Sequence, residues 1–85
     1  MGANSVNNIV APTLKSQAES QLDLFFKTLN GHTPHRLYDL VLREVEEPLI
    51  RKTLEHTSMN QVQAATLLGI SRGTLRKKMD LYGIR

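Results

Sequence analysis

The sequence predicts an all-α fold of four helices, and three observations carry that reading. Apolar residues recur at helical spacing through residues 14–29 and 34–57. Capping residues and glycines punctuate the chain where helices should start and stop: Thr13, Thr33, Asn60 and Ser71 at starts, Gly31, Gly69 and Gly83 at ends. Beyond the first dozen residues, no run alternates in the manner of a strand.

Residues 1–13 read as a flexible N-terminal arm. MGANSVNNIVAP is polar, rich in Asn and closed by Pro12, with no apolar stripe. Ile9 and Val10 leave a short strand as the alternative. Val6 stands where a myristoylation signal needs Ser or Thr, which excludes that modification.

The first helix follows from Thr13, a suitable N-cap, to Leu29. Leu14, Ala18, Leu22, Phe25, Phe26 and Leu29 share one side at about 100° per residue. Asn30-Gly31 ends it, and Thr33-Pro34 offers a cap with proline at the first helical position of a second helix, 34–57. There Leu37, Tyr38, Val41, Leu42, Val45 and Leu49 span roughly 140°, while Leu40, Ile50 and Leu54 lie outside that arc. Apolar residues on two sides suit a central helix that touches its own fold and, most simply, a second copy of the chain. Pro48 removes one backbone donor and predicts a kink rather than a break, because apolar spacing resumes in phase at Leu49; two separate helices are the alternative. Residues 14–57 thus form a two-helix dimerisation core, with Leu22, Phe25, Phe26, Leu37, Val41, Val45 and Leu49 as candidate dimer or core residues.

Residues 60–85 form the last unit. Asn60, with Gln63 three places on, has the form of a capping box opening a short helix that stops at Gly69. Ser71 caps a fourth helix, from about Arg72 to Leu81, closed by Gly83. Two short helices joined by a glycine turn have the shape of a helix-turn-helix. Ala64 and Ala65 are small where the helices must cross, and Leu68, Ile70 and Leu75 supply a small core. On the fourth helix Leu75, Met79 and Tyr82 cluster on one side. Gly73, Thr74, Lys77, Asp80 and Leu81 lie roughly opposite, flanked by Arg72 and Arg76 on one edge and Lys78 on the other. Such a helix docks by its apolar stripe and presents its charge to a polyanion, as a helix in the major groove of double-stranded DNA must.

Charge distribution agrees. The chain has 11 Lys and Arg against 8 Asp and Glu, net +3. Residues 60–85 hold five of those cations and one Asp, a net +4, so the remainder is a nearly balanced scaffold at −1. With 85 residues there is one small domain at most, short of core for a stable monomer. Cysteine is absent, which excludes disulfides and thiolate metal sites and leaves oligomerisation as the remedy. No apolar run has the length of a membrane span and no secretory signal is present, so a cytoplasmic location is expected.

Other residues carry no chemistry. His32 and His35 lack the ligands of a metal site, and His56 suits a helix C-terminus. Glu46 and Glu47 point about 100° apart and read as solvated or salt-bridged. Ser16, Ser20, Ser58 and Ser71 have no His/Asp arrangement, and no glycine loop could cradle phosphate. Phe25 and Phe26 fit core or dimer contacts better than base stacking. Neither a catalytic site nor a cofactor is expected.

LNG (29–31), LYDLVLREVEEPLI (37–50) and NQVQAATLLGISRGTLRKKMDLYGI (60–84) closely resemble the Fis family, the bacterial factors for inversion stimulation. The likeness spans about residues 25–84. The helix-turn-helix alone is also similar to the output domains of NtrC-type activators; the helix around Pro48 points to Fis. The resemblance implies an intertwined homodimer that binds and bends DNA in the nucleoid and regulates transcription, with RNA polymerase as a further partner. It implies a preference for degenerate sites with A/T-rich centres, through deformability and not base contact. By position, Arg72 and Ser71 correspond to base-edge contacts, and Asn60, Thr74, Arg76, Lys77 and Lys78 to phosphate contacts. The family's best-known member has a longer arm, a β-hairpin that activates DNA invertases; about 13 residues precede the first helix here, which counts against that activity. Ser71 replaces an Asn, Val62 a Thr, and Asp80-Leu81 two Lys, so weaker backbone contact and a smaller salt dependence are expected. Two other readings stay open: an NtrC-type output domain, against which Met1 and the lack of a linker-like start weigh, and a basic module gripping an acidic protein.

Overall fold

The computed structural model describes residues 13–29, 31–32 and 35–85. All regular structure among them is helical: α1 (Leu14–Leu29), α2 (Leu37–His56), α3 (Gln61–Leu68) and α4 (Arg72–Tyr82). The fold class predicted from sequence is the one observed. The chain divides into two compact units, Met1–His35 and Arg36–Arg85.

In the first unit, Thr13 caps α1: its Oγ1 accepts from the Ser16 amide at 3.1 Å, while the Ser16 hydroxyl donates back to the Thr13 carbonyl at 3.0 Å. No residue of α1 is buried. Phe25 and Phe26 meet edge to face, ring centroids 5.7 Å apart. Leu22, Phe25 and Leu29 are half-buried, Phe26 is exposed, and Gly31 takes a left-handed φ of 89°.

The second unit opens later than the sequence suggests. Its first helix begins at Leu37 rather than Pro34, and the residue before it, Arg36, is left-handed with no side-chain cap. Arg36 instead donates Nε to Asp39 at 2.8 Å, tying the first turn by an ion pair. The expected Thr33-Pro34 start lies outside the described residues. Pro48 is accommodated inside one continuous α2, which answers the two-helix alternative.

The core of this unit is Ile50 and Leu54 from α2, Ala64 and Ala65 from α3, and Leu75 and Met79 from α4. Leu68, Ile70, Tyr82 and Ile84 pack around it half-buried. Leu54 and Leu75 are fully enclosed, each contributing about 2 kcal/mol through burial. Ala64 is likewise enclosed, its small side chain suited to the close helix crossing. Of the two apolar sides of α2, the minor one, Ile50 and Leu54, faces this core. On the major side Leu37 and Val41 are half-buried, whereas Leu42, Val45 (56% exposed) and Leu49 (52% exposed) are open.

Each helix of this unit ends by the same device: a left-handed residue follows, and the amide after it reaches five residues back. Ile70 donates to Ala65 at 3.0 Å past Gly69, and Ile84 to Met79 at 2.9 Å past Gly83. Both isoleucines then fold onto the core. Met59 donates to Leu54 at 2.7 Å past Ser58, so a serine with φ 54° holds the conformation that glycine holds elsewhere.

Candidate nucleic-acid interface

The polar surface of α3 and α4 is set by how the two helices begin. Asn60 Oδ1 accepts from the Gln63 amide at 3.0 Å. The reciprocal half of the expected capping box is absent, because the Asn60 amide already donates to the Thr57 carbonyl at 3.0 Å. Asn60 is exposed at this helix start. Ser71 caps α4 through Oγ, which accepts from the Thr74 amide at 3.0 Å. Its hydroxyl and that of Thr74 are hydrogen-bonded at 3.0 Å, so Ser71 is partly engaged within the chain while remaining exposed.

Leu75, Met79 and Tyr82 dock α4 on the core, as the stripe in the sequence requires. Arg72, Thr74, Arg76 and Lys77 stay exposed, and no ion pair among the described residues involves Arg72, Arg76 or Lys77. Gly73 is exposed beside them; a Cβ there would meet only Ser71 Oγ at 3.9 Å, so the fold itself does not require glycine. Asp80 and Leu81 are exposed too, and interrupt the cationic surface.

Lys78 differs from the other three cations. Its Nζ lies 3.0 Å from Glu46 Oε2, with both side chains at least two-thirds covered. Tyr82 donates its hydroxyl to Oε1 of the same carboxylate at 2.5 Å. The Tyr82 hydroxyl, followed by the hydrogen bond and charge of Lys78, draws Glu46 below its ordinary pKa against the opposing cost of burial. The salt-bridged reading of Glu46 and Glu47 is the one observed: Glu47 accepts from Arg51 Nε at 3.0 Å. The link from Glu46 to the fourth helix escapes sequence reasoning, since nothing in the spacing marks residues 36 apart as neighbours.

An open apolar hollow on the other side of α3 is lined by His56, Thr57, Val62, Gln63, Thr66 and Leu67. Among the described residues no three His, Asp or Glu side chains cluster as metal ligands would. No described helix is long and apolar enough to cross a membrane.

Residues 41–82 match the family described as bacterial regulatory protein, Fis family. The chain is 42% identical over 81 residues to the DNA-binding protein Fis of Escherichia coli O1:K1 / APEC, covering 95% of this chain and 83% of that one. The chain belongs to the Fis family. The DNA-binding proteins Fis of Klebsiella pneumoniae subsp. pneumoniae and Serratia proteamaculans match with the same identity and coverage. As a member of this regulatory family the chain is not an enzyme. The Fis family match reaches back to residue 41 and so takes in most of α2, the helix that completes the core beneath α3 and α4.

Proposed function

We propose that the chain is a homodimeric nucleoid-associated protein that binds and bends double-stranded DNA through its helix-turn-helix and regulates transcription. One observation carries the reading: α4 is fixed to the core by Leu75, Met79 and Tyr82 while Arg72, Arg76 and Lys77 extend from it without intramolecular ion pairs among the described residues. Arg72, at the first turn, has the reach and planar fork to read guanine, with Ser71 beside it at base edges. Asn60, Thr74, Arg76 and Lys77 supply phosphate contacts. Lys78 stands apart, held by Glu46.

The exposed Val45 and Leu49 support a dimer, since an isolated small domain gains little from leaving such a stripe in water. Leu22, Phe25, Phe26, Leu37 and Val41 complete the proposed dimer and core set, with residues 14–57 as the dimerisation segment and 60–85 as the reading head; the expected arm, residues 1–13, lies outside the described residues apart from Thr13. If the two α4 helices stand closer than one turn of B-DNA, about 34 Å, the duplex must curve, which favours deformable A/T-rich centres. The protein then acts in the cytoplasm, at the nucleoid, and on promoters beside RNA polymerase.

Gel-shift titration across salt, combined with circularly permuted duplexes carrying an A/T-centred palindrome, tests this. Steep loss of affinity with salt and a position-dependent mobility are expected. Absence of a shift at low salt would overturn DNA binding; a shift without position dependence would overturn bending.

A further inference from the structure

Of the four cations on α4, one is answered inside the fold. Glu46 uses both carboxylate oxygens at once, Oε2 for Lys78 Nζ at 3.0 Å and Oε1 for the Tyr82 hydroxyl at 2.5 Å. Only 19% of the Glu46 side chain is accessible, against 33% for Lys78. A phosphate that recruited Lys78 would strip the ammonium from this carboxylate. Glu46 would be left charged, largely covered and bonded only to Tyr82, the costly kind of half-broken pair. Arg72, Arg76 and Lys77 face no such competition, because no carboxylate among the described residues engages them.

Resting on the DNA-binding reading above, we propose that Glu46 is a positioning residue of the interface: it withdraws Lys78 from the phosphate contacts and fastens the end of α4 to α2. The recognition helix thereby meets DNA with three working cations and a fixed tilt. Sequence-independent attraction is held down, and the share of binding left to Arg72 at the base edge rises. This reassigns Lys78, whose position by resemblance is that of a phosphate contact.

The test is the salt dependence of duplex affinity for the full chain, Glu46→Gln, Lys78→Met, the double variant and Lys77→Ala. Gln retains an acceptor for Tyr82 and Met retains an apolar stem, and melting curves confirm folding. Each phosphate contact contributes about 0.9 to the slope of log affinity against log salt. Lys77→Ala should lower the slope by that amount per subunit, while Lys78→Met leaves it unchanged. Glu46→Gln should steepen it by about the same amount per subunit and tighten binding to non-cognate duplex, and the double variant should return to the original slope. If Lys78→Met flattens the slope as Lys77→Ala does, or Glu46→Gln fails to steepen it, the proposal is overturned while DNA binding stands. Should Glu46→Gln not fold, the comparison of Lys78→Met with Lys77→Ala decides alone. Loss of the salt-dependent shift in every protein, the unaltered chain included, would instead overturn the DNA reading itself.

Discussion

Tyr82, in the last turn of α4, donates its hydroxyl to Glu46 in the middle of α2 at 2.5 Å. The bond raises the Tyr82 pKa, helped by burial and the Glu46 charge and opposed by Arg43, and it is the first cause of the lowered Glu46 pKa. A depressed carboxylate contributes stability above its ordinary pKa of 4.5 and loses it as pH falls through the folded value. A raised phenol contributes below its ordinary pKa of 10.0 and loses it as pH rises through the folded value. Urea midpoints followed against pH should therefore be flat between these limits and decline on both sides. Tyr82→Phe should abolish the alkaline decline and shrink the acid one; an unchanged profile would separate the bond from stability.

Leu75 is enclosed among α2, α3 and α4. Leu75→Ala should cost about 2–5 kcal/mol, comparable to everything a core this small can supply. Helicity measured by circular dichroism at ambient temperature should fall, whereas Leu75→Met, at under about 1.5 kcal/mol, should stay folded.

Ser71 separates capping from reading. Ser71→Ala should lower stability by about 1 kcal/mol because the Thr74 amide loses its acceptor. Ser71→Asp should restore the cap while carrying a negative charge towards the duplex. Thermal melts alongside gel shifts should show stability recovered and affinity reduced.

If Arg72 is the base-reading residue as proposed, Arg72→Ala should relax sequence preference, costing about 1–3 kcal/mol at one base pair. Selection of binding sites from a randomised duplex library checks this; equal weakening at every site would assign Arg72 to the backbone instead.

Leu49 is half-exposed on the face of α2 turned away from the helix-turn-helix core. Leu49→Lys should shift sedimentation equilibrium at micromolar concentration towards the single-chain mass of 9.6 kDa. A mass unaffected by the substitution would count against this dimer face.

Much of the fold is legible because its signals are local. Asn60 and Ser71 announce helix starts through side chains that bond three residues on, and Gly69 and Gly83 announce ends through backbone conformation. The docking stripe of α4 is equally visible, since Leu75, Met79 and Tyr82 need only helical periodicity. What escapes is non-local or degenerate. Periodicity gives α2 two apolar sides without saying that Ile50 and Leu54 close the core. The α2 start at Leu37 gives the sequence no cap to signal it, since left-handed Arg36 precedes it without a side-chain cap. Gln63 has the right type for a reciprocal cap, but Thr57 has already taken the Asn60 amide. Among the cations of α4, composition makes Arg72, Arg76, Lys77 and Lys78 equivalent; the fold shows that, among the described residues, Lys78 is the one that meets a carboxylate.

The three helix endings at Ser58, Gly69 and Gly83 are sealed by bonds only five residues long. Even the clasp between Glu46 and Tyr82 closes a loop of modest length. A unit assembled from such near neighbours has low contact order and should reach its native arrangement in microseconds to milliseconds. Stopped-flow or temperature-jump relaxation of residues 36–85 within the intact chain should find a fast first phase, with any concentration-dependent step following it.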